Sequence, residues 1–376
     1  TVVLKELGKL DEAIEACNMA ILLRPDYAEA YSNLGTVLKE LGKLDEAIEA
    51  CEMAISLQPD QAEAYYNLSF SCNLKGDIQK GFKLYEWRLR KKNSSVRIPR
   101  DHLIWDGKQS ILEKKFLVYE EQGLGDTIQF ARYLLLLKQK GAKVIFKVQK
   151  KMHVLLKTLD QDILLVDSDP DVNNIDFETP LMSLPYLFNT NISTIPSMGA
   201  YLTADIDNVI SWSKYLTKNT FKVGICWQGS KNKIDVGRSF SLTLFEELSK
   251  LQNVELISLH KGEGEKEIKN INFDLTVLGN NFDGGEDAFF DTAAVMANCD
   301  LIITCDTSIA HLSGALGCST WVILKKVPDW RWMLDRNDCP WYPNMKLYRQ
   351  KEYDNWEDTF QTIKKDLKSL VSLRVN

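Results

Sequence analysis

Two periodicities divide the chain. Over the first 90 or so residues, apolar side chains recur at helical spacing, and the helical stretches themselves repeat. LKELGKLDEAIEAC at residues 4–17 returns letter for letter at 38–51, a period of 34 residues. Gly8, Gly42 and Gly76 keep that period, as do Pro25 and Pro59. In the complete unit AEAYSNLGTVLKELGKLDEAIEACEMAISLQPDQ, Tyr31, Leu34 and Leu38 make the apolar stripe of a first helix. Ala47 and Ala54 let a second helix pack closely, Gly35 marks the tightest approach, and Pro59 ends the pair. The third unit decays, with Ser69 in place of the glycine and Arg88 in place of the late alanine, which marks the end of a stack. The first unit lacks most of its first helix, so an array extending further toward the N-terminus is expected.

Residues 86–110 break the period, and a polar transition is expected there. From residue 113 the pattern becomes strand–helix alternation. KFLVYEE, AKVIFKVQ and DILLVDS read as strands separated by helices near 124–140 and 150–159. A second series follows: FKVGICWQ (221–228), VELISLHK, DLTVLG, LIITCD, TWVILKK and KLYRQ. Its helices are expected near 241–251, 287–298 and 308–316. Continuous apolar strands between helices predict parallel sheets covered on both faces, hence two Rossmann-like domains. WEDTFQTIKKDLKSLVSL reads as one closing amphipathic helix.

Composition narrows the function classes. With 376 residues, 45% of them hydrophobic, the chain can fill two or three cores. A net charge of −6 and a pI near 5.5 argue against bulk attraction to nucleic acid. No apolar run reaches the ~18–20 residues of a membrane span. No signal peptide is visible, but a chain that opens partway through a repeat says little about targeting; a cytoplasmic setting is the expectation. None of the eight cysteines forms a CxxC pair; buried thiols in a reducing compartment are expected.

In open α/β sheets, ligands bind beyond the carboxyl ends of strands. EEQGLGDTIQFARY (120–133) carries Gly123 and Gly125, which let backbone approach a ligand, and Asp126, which can cap its helix or act as a base. CWQGSKNKIDVGRS (226–239) supplies Gln228, Lys231, Lys233 and Arg238 as candidate phosphate partners; each alone is an ordinary solvated loop residue. ITCDTSIAHLSGALG (303–317) opens a helix at Asp306, Thr307 or Ser308, any of which can be its N-cap. His311 stands on the first turn. Such a helix start seats a diphosphate, or it is simply a capped helix with a satisfied histidine. DSDPD (167–171) resembles a metal triplet but is explained as a turn. PDWRWMLDRNDCPWYP, with Trp321 upstream, surrounds Arg331 with tryptophans that can stack on a base or sugar, or pack a core.

The 34-residue unit resembles the tetratricopeptide repeat (TPR). EQGLGDTIQFARY, CDTSIAHLSGALG and PDWRWMLDRNDCPWYP together resemble bacterial TPR proteins with a heptosyltransferase-like, family-nine glycosyltransferase domain. The layout is also similar to that of O-GlcNAc transferases and flagellin-modifying transferases. The fold class so implied is an α-helical TPR array followed by an α/β GT-B pair of Rossmann-like domains. The expected divisions are 1–92 (repeats), 93–112 (transition), 113–217 (acceptor side), 218–350 (nucleotide-sugar side) and 351–376, a helix returning onto the acceptor-side domain. A start near residue 108 is expected to separate the repeats from nucleotide binding. By motif, the resemblance places the catalytic base on Asp126 and the donor diphosphate on Asp306, Thr307, Ser308 and His311. It implies inverting transfer from a nucleotide sugar with no metal and no cofactor, and a protein or peptide acceptor held by the concave face of the repeats. Ser308, where a glycine is common, and Thr127-Ile128-Gln129, where a histidine often follows the aspartate, depart from the heptosyltransferase pattern. A non-catalytic TPR adaptor and a nucleotide-sugar epimerase are the alternatives.

Overall fold

The computed structural model describes residues 3–4, 7–92, 94–197, 199–229, 237–353 and 355–375. They form two compact units whose boundaries do not follow the linear divisions expected from the sequence. One unit is Thr1–Lys108 with Met182–Ile195 and Val327–Arg336; the other is Gln109–Leu181, Pro196–Lys326 and Asn337–Asn376.

The first unit is built on helices α1 (Leu10–Leu23), α2 (Ala28–Glu40), α3 (Leu44–Leu57), α4 (Ala62–Lys75) and α5 (Ile78–Tyr85). Gly42 and Gly76 turn the chain between paired helices with φ of +77° and +99°, where a side chain would be strained. At Gly35 a Cβ would meet the Cys51 sulfur and lie 2.9 Å from the Ala47 carbonyl oxygen, so glycine sets the α2–α3 spacing. Burial, reinforced by neighbouring Cys72, pushes the Cys51 thiol up to about 12, as suits an inert packing group. None of the eight cysteines, all within the described residues, forms a disulfide.

The decayed third repeat has a structural cause. Arg88, standing where Ala54 stands one period earlier, is buried; it pairs with Glu86 at 2.6 Å and donates to Ser183 Oγ at 2.9 Å. Phe82 meets Trp330 edge to face at 5.6 Å, and the Leu334 N–H donates to the Leu74 carbonyl at 3.0 Å. The substituted repeat thus receives Met182–Ile195 and Val327–Arg336, two segments distant in sequence. Of the tryptophans considered for stacking on a ligand, Trp330 is therefore a packing residue of the repeat unit.

The second unit holds two parallel sheets. β1 (Lys115–Tyr119), β2 (Lys143–Lys147), β3 (Leu164–Val166) and β4 (Phe177–Pro180) pair in the order β3-β2-β1-β4. β5 (Phe221–Cys226), β6 (Val254–Ser258), β7 (Leu301–Cys305), β8 (Thr320–Leu324) and β9 (Met345–Arg349) pair as β6-β5-β7-β8-β9. Its longer helices are α6 (Leu124–Gln139), α7 (Ile206–Ser213), α8 (Phe290–Ala297), α9 (Ser308–Ala315) and α10 (Glu357–Val375), of which α6 and α9 bear on the site. β4 is an addition to the expected strands. DLTVLG is not a strand: it makes one parallel bridge, Thr276 to Ile257. Its short apolar run has the composition of a strand but no partner beyond β6.

The closing helix also departs from expectation. Phe360, Ile363, Leu367 and Val371 of α10 lie in the same core as Val223, Ile225 and Ile303 of the second sheet. Their i, i+3, i+7 and i+11 spacing makes one apolar face, and that sheet buries it. Among the described residues no helix is long and apolar enough to cross a membrane.

A chain started at Gln109 would expose Val327, Trp330 and Met333, which the intact chain buries. Such a truncation is expected to self-associate in light scattering and to bind a hydrophobic dye. A monodisperse product with the parent's melting temperature would contradict this packing.

Candidate functional site

Both sheets reverse their winding at their first strand. In the first, β2 and β3 lie to one side of β1 and β4 to the other; in the second, β6 lies to one side of β5 and β7 to the other. Crevices at the carboxyl ends of such strands are where open α/β sheets take ligands. β1 runs into EEQGLGD, β5 into CWQG and β7 into CDTS. Cys226 is in register with Thr304, so Gln228 and Asp306 each lie two residues past one rung of the second sheet.

After β1, Gln122 adopts φ +66° and Gly123 becomes the N-cap of α6. Asp126 Oδ2 accepts the Gly123 N–H at 3.0 Å, the carboxylate half of a capping box. Glu120 Oε1 accepts the Gln149 N–H at 2.9 Å and ties this loop to the end of β2. Asp126 is half-buried, and its position at the helix start suits a negative charge.

After β7, Thr307 is extended and is the N-cap of α9, its Oγ1 accepting the Ile309 N–H at 3.2 Å. This decides among the three possible caps. Ser308 is the first helical residue, and His311 is buried one turn on. The two helix starts meet: a Cβ on Gly125 would lie 3.1 Å from His311 Cδ2 and 3.3 Å from Ser308 Cα. Motifs 180 residues apart in sequence thus form one place, with Gly125 as the contact point.

Beneath it lies a buried cation. Arg132, on α6, donates through Nε to the Gln129 carbonyl at 2.8 Å, through Nη1 to the Pro196 carbonyl at 3.3 Å and the Trp341 carbonyl at 2.5 Å, and through Nη2 to Tyr201 Oη at 3.0 Å. Its guanidinium carbon also sits 4.5 Å from the centre of the Tyr342 ring. Tyr201 in turn donates to the Ile128 carbonyl at 2.9 Å. Tyr342 packs against Gly314 and its Oη lies 3.1 Å from His311 Nδ1. Burial raises the Tyr342 hydroxyl well above the usual phenol range, nearby Tyr201 adds to this, and Arg132 opposes it. Trp341 completes the layer, meeting Phe130 at 5.8 Å.

Of the residues singled out from sequence, Gly125, Ser308 and His311 are in mutual proximity, Asp126 adjoins Gly125, and Thr307 adjoins Ser308. Gln228 and Asp306 share the neighbouring strand ends. The Arg238 guanidinium packs against Gly229, where an added Cβ would lie 2.6 Å from Nη2. Lys231 and Lys233 lie outside the described residues. Gly123 faces no crowding beyond Asp126 Oδ2 at 3.4 Å, so it frees backbone rather than relieving a clash. DSDPD is a turn: Asp171 accepts the Asn173 N–H at 3.1 Å and Asp169 pairs with Lys147 at 3.0 Å. Sequence reading missed Arg132, Tyr201, Tyr342 and His260. Arg132 had a signal, a single cation inside the apolar run QFARYLLLL. His260 is buried 3.6 Å from the Cys226 sulfur and stacks on Trp227.

If the two helix starts touch as described, Gly125→Val should cost about 1–3 kcal/mol in urea unfolding through overpacking. Gly123→Ala, with φ of −94° and space for a methyl, should change stability by under about 0.5 kcal/mol. Equal effects at the two sites would contradict the contact.

Comparisons with known proteins agree with this architecture in its first part. The tetratricopeptide repeat family matches residues 28–61, and a second TPR repeat family matches residues 3–42. Protein FlbA of Caulobacter vibrioides is 25% identical over 315 residues, covering 77% of this chain; the chain spans about half, 52%, of that relative's length. Among solved structures, the E. coli ADP-heptose lps heptosyltransferase II is similar at 12% identity and a TM-score of 0.47, over 70% of this chain and 100% of that one. The glycosyl transferase family 9 structure from Veillonella parvula is similar at 11% identity and a TM-score of 0.46, over 70% and 91%. The N-terminal helical array of this chain is a tetratricopeptide-repeat array, and it is followed by an α/β part with two parallel sheets.

Proposed function

We propose that the chain is a GT-B glycosyltransferase, inverting and independent of metal, which moves a sugar from a nucleotide-sugar donor to a hydroxyl on a protein recruited by its repeats. The observation that carries this function is the meeting of the α6 and α9 starts at Gly125, at the winding reversals of the two sheets. An acceptor-side carboxylate and a donor-side anion seat are what such a transfer needs in one place.

The donor diphosphate would lie at the start of α9. The dipole at the helix start favours an anion there, with the Ser308 N–H and hydroxyl and His311 beside it. Gln228 and Arg238, from the neighbouring strand end, would reach the same ligand; Lys231 is assigned to it by motif alone. Asp306, just before the helix cap, would belong to the same donor seat. The first-sheet part would receive the acceptor. Asp126 would take the proton from the acceptor hydroxyl as its oxygen bonds to the anomeric carbon. The bond from that carbon to the diphosphate oxygen breaks, and the electron pair leaves with the nucleotide. General-base help of this kind is worth ~10²–10⁴-fold, and fixed donors on the leaving group lower the barrier further.

The same Asp126 caps α6, so a substitution must separate the two roles. Asparagine also accepts a hydrogen bond from the Gly123 N–H but is no base. Asp126→Asn should keep the parent's melting temperature and nucleotide affinity, and lose at least ~100-fold in transfer. Transfer at the parent rate would place the base elsewhere. EDTA should leave transfer to protein unchanged; loss of activity restored by magnesium or manganese would refute metal independence.

A further inference from the structure

His311 has two ring nitrogens, and the chemistry it can offer depends on which one carries the proton. Tyr342 faces Nδ1 at 3.1 Å. Both groups are buried, so each polar hydrogen there needs a partner. Tyr201, the other phenol of the cluster, spends its hydrogen on the Ile128 carbonyl, and its oxygen accepts from Arg132. The Tyr342 hydroxyl has His311 Nδ1 as its hydrogen-bond partner, and Arg132 above the ring keeps a positive charge close by. A phenol in that position donates. If His311 donated from Nδ1 instead, the Tyr342 hydrogen would have to turn to the Tyr201 oxygen, which already accepts from Arg132 and is a weaker acceptor for a phenol than an imidazole nitrogen.

We infer that Tyr342 is a positioning residue: it donates to His311 Nδ1, fixes the Nε2–H form of the imidazole, and turns the Cδ2–Nε2 edge toward the first turn of α6. The contact of His311 Cδ2 with the Gly125 position agrees with that orientation. Close packing of Tyr342 on Gly314 and the Arg132 cation over its ring fix the phenol itself. Resting on the proposed diphosphate seat, the consequence is that His311 offers an N–H donor, not a lone pair, to the anion. Arg132 acts through Tyr342 and touches no ligand.

Nitrogen-15 NMR of the full chain tests this directly. The four histidines are few enough for the His311 signals to be assigned by single substitution. At neutral pH the parent should show His311 Nδ1 as an unprotonated, hydrogen-bonded acceptor and Nε2 as protonated. In Tyr342→Phe the Nδ1 signal should move to that of an acceptor without a donor. Tyr201→Phe, which removes a hydroxyl from the same layer but not from His311, should leave Nδ1 unmoved. Titration with ADP, GDP and UDP should show about tenfold weaker binding to Tyr342→Phe of whichever nucleotide the parent binds. A protonated Nδ1 in the parent, or an Nδ1 signal indifferent to Tyr342→Phe, overturns the assignment. A moved Nδ1 signal with unchanged nucleotide affinity supports the Tyr342 bond and overturns the diphosphate placement instead.

Discussion

The α/β unit turns on one close approach. The first turns of α6 and α9 come together at Gly125, where any side chain would press on Ser308 and His311. The α6 start follows β1, where the first sheet reverses, and the α9 start follows β7, the neighbour of β5, where the second sheet reverses, so the contact joins the two places where such sheets accept ligands. It also brings the positive ends of two helix dipoles side by side. Two positive helix ends facing one another repel slightly, and Asp126 answers at the α6 end by accepting the Gly123 N–H.

Beneath the contact, Arg132 binds the layer together. A buried guanidinium is costly unless its donors are matched. Here carbonyl oxygens of Gln129, Pro196 and Trp341 and the Tyr201 hydroxyl match them, drawing on three separate stretches of the second unit. One cation thus fixes α6 against the segment leading to the second sheet and the one between β8 and β9. Tyr342 passes that order on to His311. The first unit has an analogous device in Arg88, which fastens a decayed repeat to Ser183. The segments the repeats receive leave the carboxyl ends of β4 and β8, the same ends of the sheets at which ligands are expected.

Local pattern made most of the architecture legible. A 34-residue period with exact recurrences fixed the helical array, and apolar runs between helical stretches fixed eight of the nine strands among the described residues and the parallel class. β4 escaped because Phe177–Pro180 holds a glutamate and a proline, and DLTVLG misled because its run has β-rich composition without a sheet neighbour. The site was legible where glycine, acid and hydroxyl residues cluster at strand ends, as in EQGLGD and CDTS. It was not legible where one residue acts through space. Nothing near Tyr342 in sequence announces His311, and nothing near Trp330 announces Phe82. The α10 face could have been assigned to either sheet, since an apolar stripe says that it is buried but not against what.

The central claim is that a nucleoside diphosphate binds where α6 and α9 meet. Hydrogen–deuterium exchange reads the relevant groups, since backbone N–H donors at helix starts slow when they bond an anion. With ADP, GDP and UDP tested in turn, the nucleotide that binds should protect peptides covering 303–317 and, more weakly, 120–133. Binding that leaves both stretches exchanging at the free rate would contradict the account.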